Sequence, residues 1–476
     1  MAPVVARLVS ESKPYLVPGK LLVKELWFEV PLDHSQPDGK QLTLFARSAV
    51  KYERPIVEPS PAEAAAAQQR PYLLFLQGGP GVGTPAPQDS PLSHHMLDRG
   101  YELLLLDQRG TGLSSPVSAA TLALVGGPRE QAAYLRLFRA DALVRDSEAV
   151  RRRLTRDFPP EKRRWSVFGQ SFGGMTSLTY LSFAPEGLRE AFVTGGLAAL
   201  DRGPEDVYRA TYRRCLARNR AYYAKFPGDV AVVKWLAGKI RELGGGGERG
   251  GGVPLPAGGL LTVPRLMTLG LSLGMDGGID AVHNHVTRMK ADLDQFGFFT
   301  RYTLNALEQD GIWDTCPIYS LLHEPCWCFG PGVAGNWAAE RVGKTLDEYR
   351  WLRADWAGPE SLGDDEPLYF SGEMIYPFLF DVCPELAQMK ETAQILAEFD
   401  QWEPLYSIEQ LAKNEVPVYA ACYDDMYVDP DLARVTASRI RGIKVFETNV
   451  LFHNALRSKP EDVFRELLNL RDNTIN

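Results

Sequence analysis

Nowhere does the sequence hold about 18 consecutive apolar residues, so a membrane-spanning helix is not among its expected elements. Its first residues, "MAPVVARLVSESKPYLVPGK", lack a basic segment followed by an unbroken apolar core, and no signal peptide is expected. Excess positive charge is missing too. The formal net charge of −8 disfavours nucleic acid or an anionic membrane as the main partner. Cysteine is scarce: Cys215, Cys316, Cys326, Cys328, Cys383 and Cys422 are scattered, which suits reduced thiols in a cytoplasmic protein. "CWC" at 326–328 has no second Cys or His pair at finger-like spacing, so no metal site is expected there.

The 476 residues exceed one ordinary core, and 45% hydrophobic with 24% charged residues is an ordinary globular balance. "KLLVKELWFEVPL" and "QLTLFARSAV" read as paired strands joined by a turn at "DHSQPDGK". "PYLLFLQGG", "YELLLLDQRG", "RWSVFGQS" and "EAFVTGGL" are short apolar runs suited to parallel strands buried on both faces. Helical stretches separate them, including "ADALVRDSEAVRRRLTRDF" and "MTSLTYLSFAP", the latter ended by Pro185. This rhythm predicts an open, mostly parallel α/β sheet. From about residue 200 it gives way to helix-like sequence rich in Trp and Tyr, with a glycine-rich, mobile stretch expected at 244–259. Strand patterns return with "VPVYAACYDD" and "IKVFETNV", before a last helix "PEDVFRELLNL". The expected organisation is a core of residues 1–198 and 413–476, with 199–412 inserted as a mainly helical cap over the carboxyl edge of the sheet.

"WSVFGQSFGGM" (165–175) sets Ser171 among glycines where a strand pattern meets a helix pattern. Gly-x-Ser-x-Gly on such a turn is the signature of a nucleophile raised above a sheet. A serine hydroxyl is weak at neutral pH and needs a base and an acid, which in this kind of sheet follow in the order Asp, then His. Of seven histidines, His34, His94 and His95 precede the serine, and His283, His285 and His323 fall in the insertion. His453 alone lies between the last strand pattern and the last helix, and is the expected base. "ACYDDMYVDP" supplies the acid. Neighbours on an extended chain face opposite ways, so one of Asp424 and Asp425 aims at the imidazole; Asp425 is favoured, with Asp424 the alternative. Asp429 reads as an N-cap of the following helix. For the oxyanion, the N–H of Phe172 is one expected donor and that of Gly79 in "LQGGPGVG" the other, with Gly78 as alternative. That loop lacks the Lys-Ser/Thr ending of a phosphate-binding loop.

"QGGPG" (77–81), "DQRGTGLS" (107–114) and "GQSFGG" (169–174), in this order, resemble the motifs of the proline iminopeptidase (prolyl aminopeptidase) family of α/β-hydrolases. The long insertion, with "LLHEPCW" and "GNWAAERV", is similar to that of the family's larger fungal and actinobacterial branch. Gln77 departs from the histidine usual at its position. The resemblance implies a serine aminopeptidase that releases an N-terminal residue, preferentially proline, from peptides with a free amino terminus, without metal or organic cofactor. It also implies cap carboxylates that receive the substrate ammonium. "SGEMIYPFLFD" places Glu373 in a Glu-x-x-Tyr arrangement, with Glu324 and Glu403 as further candidates. Tyr369, Phe370, Tyr376 and Phe378 either wall a pyrrolidine pocket or belong to the core. An esterase or a broader aminopeptidase on the same fold is the alternative, and a non-catalytic ligand receptor the remote one.

Overall fold

Continuous apolar runs give the parallel part of the central sheet two buried faces. In the computed structural model, which describes residues 3–53, 60, 68–245 and 251–473, ten strands form this sheet. They are β1 (Arg7–Glu11), β2 (Tyr15–Val17), β3 (Leu21–Pro31), β4 (Gln41–Lys51), β5 (Tyr72–Leu76), β6 (Glu102–Leu106), β7 (Trp165–Gln170), β8 (Leu188–Thr194), β9 (Val418–Cys422) and β10 (Ile443–Glu447). The spatial order is β1-β3-β4-β6-β5-β7-β8-β9-β10, with β2 also paired to β3. Strands β1 to β4 and the β4–β6 pair are antiparallel, whereas β6 through β10 run parallel. The two short strands β1 and β2, mostly solvent-facing, carry no clear apolar alternation and are not expected from the sequence.

Period two sorts the side chains. Leu74, Leu76, Leu104 and Leu106 pack on one face, under the helices Ala140–Leu154 and Phe172–Phe183. Leu73, Phe75, Leu103 and Leu105 pack on the other, under Pro91–Leu97 and Pro460–Asp472.

Between β8 and β9 the chain leaves the sheet. Its long helices, Pro204–Lys225, Asp229–Leu243 and Gly278–Phe296, enclose a separate core that includes Tyr208, Tyr212, Tyr222, Trp351 and Tyr376. Helix-like sequence is expected throughout this stretch, yet residues 345–378 hold only short 3-10 turns. Gly358, Pro359, Gly363, Pro367, Gly372 and Pro377 explain the difference, because none of them sustains a helix interior. Residues 246–250, the centre of the glycine-rich stretch, lie outside the described residues; its flanks pair as Val253–Pro254 with Leu260–Leu261. No helix among the described residues is long and apolar enough to cross a membrane.

"DQRGTGLS" serves the fold. The Arg109 guanidinium is 1% exposed and uses all five of its N–H groups. Two go to Asp146 at 2.6 and 2.5 Å, and three to the carbonyls of Pro31, Leu32 and Leu137. His34 Nε2 lies 2.8 Å from the same carboxylate. Burial alone would raise the Asp146 carboxyl, but Arg109 and His34 hold it below its usual range. Nearby, Asp107 accepts from the backbone N–H of Thr84 at 2.8 Å and of Leu113 at 2.9 Å, and Gln108 Nε2 donates to the carbonyl of Gln77. The loop after β5 is thereby pinned from behind.

Arg109→Leu should lower the stability by about 3–5 kcal/mol, since it strands a buried carboxylate. Arg109→Leu combined with Asp146→Leu should recover part of the loss, because no charge is then left unpaired. Urea unfolding of the three proteins checks this; a double variant no more stable than Arg109→Leu would contradict it.

Candidate active site

β7 delivers the chain into a turn that only a narrow set of neighbours allows. Ser171, between β7 and the helix Phe172–Phe183, has φ 55° and ψ −121°, a conformation that costs a side-chain-bearing residue about 1–3 kcal/mol. The Ser171 N–H donates to the Thr194 carbonyl at 2.9 Å, so the end of β8 holds the turn in place. A Cβ on Gly173 would sit 1.8 Å from the Leu76 carbonyl oxygen, at the end of β5. Glycine is required there by contact with backbone.

The candidate acid and base arrive from the next two strands. Asp425 follows β9 and His453 follows β10. His453 Nε2 lies 2.9 Å from Ser171 Oγ, and His453 Nδ1 lies 2.6 Å from Asp425 Oδ2. With Nδ1–H donating to the carboxylate, Nε2 is left to accept the serine proton. The other Asp425 oxygen accepts from the N–H groups of Tyr427 at 2.7 Å and Val428 at 3.2 Å, which fixes the carboxylate plane. Asp424 is half-buried, and its charge bears on Arg214 and Arg218 instead. Asp429 accepts from the N–H groups of Asp431 and Leu432, capping the helix Pro430–Ser438.

Ser171, Asp425 and His453 are all buried. Burial alone would lower the basicity of His453; Asp425 and then Glu373 more than offset it, and the imidazole is raised above its usual value. The inserted chain reaches this group through Gly274, whose carbonyl accepts the His453 N–H, and from the core the Tyr427 ring lies 4.4 Å from the imidazole, centre to centre.

Phe172 opens its helix, so its N–H is one of the groups with no intrahelical acceptor. Across from it runs the loop after β5. A Cβ on Gly78 would come within 3.2 Å of the Ser171 Cβ, and the Gly78 N–H is engaged with Gln77 Oε1 at 3.2 Å. That engagement favours Gly79 over Gly78 as an oxyanion donor. At Gly81 a Cβ would meet Ile318 at 2.7 Å, because the helix Pro317–Leu322 of the insertion presses on the loop.

The three candidate glutamates separate. Glu373 is half-buried, accepts from Tyr319 Oη at 2.6 Å and lies 3.5 Å from His323 Nε2. Burial opposes its ionisation, but His323, His453 and Tyr319 hold its carboxyl below the usual range. His323 Nδ1 in turn lies 3.1 Å from Tyr208 Oη. Glu324 turns elsewhere: Oε1 accepts the Ala339 N–H at 3.0 Å, at the start of the helix Ala338–Lys344, and burial raises its carboxyl. Glu403 is exposed and lines a separate cavity of about 510 Å³ with His34, Arg145 and Arg152. Tyr376 is fully buried, with its hydroxyl 3.0 Å from that of Tyr212, and Phe370 is buried in the same core. Both are packing residues. Tyr319 and His323 escape the sequence reading. Their spacing of four residues, just before "EPCW", was the one available signal.

A family model described as alpha/beta hydrolase fold matches residues 71–232. A proline iminopeptidase designated aneH from Aspergillus aculeatus is 38% identical over 460 residues, covering 96% of this chain and 95% of that protein. A proline iminopeptidase from Aeromonas sobria is 39% identical over 446 residues, covering 93% of this chain and 95% of its own. Identity at this level along nearly the whole of each chain leaves one assignment: the chain belongs to the proline iminopeptidase family, built on the α/β-hydrolase fold.

Proposed function

We propose that this protein is a serine aminopeptidase that releases an N-terminal residue, proline by preference, from peptides with a free amino terminus. The observation that carries the reading is the unbroken hydrogen-bonded chain Ser171–His453–Asp425, with the Glu373 carboxylate bearing on the same imidazole. Ser171 Oγ attacks the carbonyl carbon of the first residue while His453 Nε2 takes its proton. The N–H groups of Phe172 and Gly79 hold the oxyanion. The C–N bond then breaks, and His453 returns the proton to the leaving amine. A water deprotonated by His453 attacks the acyl-enzyme, which frees the amino acid and restores the Ser171 hydroxyl. Asp425 keeps the imidazole in the required tautomer throughout.

Glu373 receives the substrate ammonium, which explains the need for a free terminus. His323 and Tyr319 hold that carboxylate ionised and oriented. Residues 199–412 act as the cap on the core formed by 1–198 and 413–476, closing the site around the first residue. Six unbonded, buried cysteines support a reducing, cytoplasmic setting.

Ser171→Ala should leave less than about a thousandth of wild-type turnover of a proline arylamide, with the fold intact by circular dichroism. Asp425→Asn should cost about 10⁴ in kcat, whereas Asp424→Asn should stay near wild type. Equal losses from the two aspartates would overturn the assignment of the acid.

Glu373→Gln should lower kcat/KM for free-amine substrates at least roughly tenfold, the worth of a charge-assisted hydrogen bond in a closed pocket. An N-blocked aryl ester, having no ammonium, should be nearly indifferent. Its pH profile carries a second readout. Only neutral His453 can take a proton, and the Glu373 charge raises the pKa of His453. Removing that charge should move the acid limb of kcat/KM to lower pH. A limb that stays in place or moves up would show that Glu373 does not act on the imidazole.

A further inference from the structure

A second cavity, of about 450 Å³, is lined by chain neighbours of Ser171 and His453 and has no part in the chemistry above. It lies on the face of the sheet covered by the helices Pro91–Leu97 and Pro460–Asp472. Part of its wall comes from residues next to the reacting groups in the chain. Gln170 precedes Ser171, Gln77 precedes the glycines of the oxyanion loop, and Asn454 follows His453. The remaining wall is largely apolar, with Leu92, Leu456 and Phe464 prominent.

The lining contains one ionic group. Every described residue of the wall is neutral except Arg457, which stands four residues after His453 in the short helix Ala455–Ser458. Three other arginines of the C-terminal segment are committed: Arg434 to Glu447 and Asp431, Arg465 to Asp462, Arg471 to Glu190. Arg457 is exposed, with no carboxylate within salt-bridge distance among the described residues. Its charge is nonetheless felt at the active site, where it opposes protonation of His453.

The direction of the reaction says what this space faces. His453 Nε2 must hand its proton to the leaving nitrogen, so the chain beyond the scissile bond starts beside His453 and leaves along its neighbours. An extended peptide advances about 3.3–3.6 Å per residue, so a cavity of this size holds two or three residues. Such a short leaving peptide ends in a carboxylate.

We propose that this cavity holds the leaving portion of the substrate and that Arg457 receives its C-terminal carboxylate, which makes the enzyme selective for short peptides with a free carboxyl end. The proposal rests on the aminopeptidase reading for the identity of the peptide, and on the cavity and its lone cation for the site.

The test compares prolyl-alanyl-leucine as the free acid with its C-terminal amide, at a pH well above the acid limb of His453. Wild type should favour the acid about fivefold in kcat/KM, mostly through KM, the upper range for a partly exposed ion pair. Arg457→Gln should bring that acid-to-amide ratio to about one, and Arg457→Lys should keep part of it. Equal rates for acid and amide in wild type would overturn the proposal. So would a variant that slows both substrates by the same factor. Calorimetric binding of alanyl-leucine and its amide to the Ser171→Ala protein reads the site without turnover. Tighter binding of the acid, lost in Ser171→Ala/Arg457→Gln, is expected even if prolyl bonds prove not to be the substrate. Absence of that preference refutes the carboxylate site itself.

Discussion

Everything at the site hangs on one backbone turn. Ser171 holds a positive φ that its side chain resists, and three strand ends impose it. β7 leads in, the Thr194 carbonyl at the end of β8 takes the Ser171 N–H, and the Leu76 carbonyl at the end of β5 lies against Gly173. Because β5 through β10 run parallel, their carboxyl ends share one edge. The loop after β5, the turn after β7, Asp425 after β9 and His453 after β10 therefore meet without any strand having to bend toward another. Strain at the serine is affordable because this register over-determines it.

The buried ionic groups behind that edge do a different job. Arg109 and Asp146 touch no reacting atom, yet each of their polar atoms is matched, which is the condition for a charge pair to survive in a core. They tie the chain after β6 to the end of β3 and to the helix Ala140–Leu154, while Asp107 and Gln108 tie it to the loop after β5. A motif that reads as chemistry in the sequence is here a brace for the loop that carries Gly78 and Gly79. On its outer side the same loop is pressed by Ile318, so the inserted chain and the sheet fix it between them.

What could be read from the sequence divides along physical lines. β5, β6, β7, β8 and β9 are almost wholly buried, and their largely apolar runs mark them as strands. Ser171 and His453 follow from turn chemistry and chain order, both local signals. Choosing Asp425 over Asp424 needs the direction of one side chain on a bent segment; alternation narrows it to two residues, and in the structure Asp425 is the one that lies 2.6 Å from His453. The insertion resists reading because its packing is long-range. Glu324, Glu373 and Glu403 look alike as letters, and only tertiary placement makes one a neighbour of His453, one a helix cap and one a surface residue. Tyr376 and Phe370 likewise carry the same pattern whether they wall a pocket or fill a core.

The electrostatics of His453 join these levels. Two anions and one cation act on a single buried imidazole: Asp425 and Glu373 favour its protonation, Arg457 opposes it. In the proposed reaction each of these groups is also committed elsewhere. Asp425 orients the ring, Glu373 meets the substrate ammonium, and Arg457 meets the far carboxylate. A zwitterionic short peptide would thus bring a positive charge to the anion that makes His453 too ready to hold a proton, and a negative charge to the cation that opposes it. The ammonium side dominates, because Glu373 is half-buried against His323 and Tyr319 whereas Arg457 stands in solvent, where a charge counts for less. Binding the correct end of the substrate therefore shifts the imidazole toward its neutral form, the form that can take the serine proton. In the proposed reaction, recognition of the free terminus and activation of Ser171 are one electrostatic event rather than two.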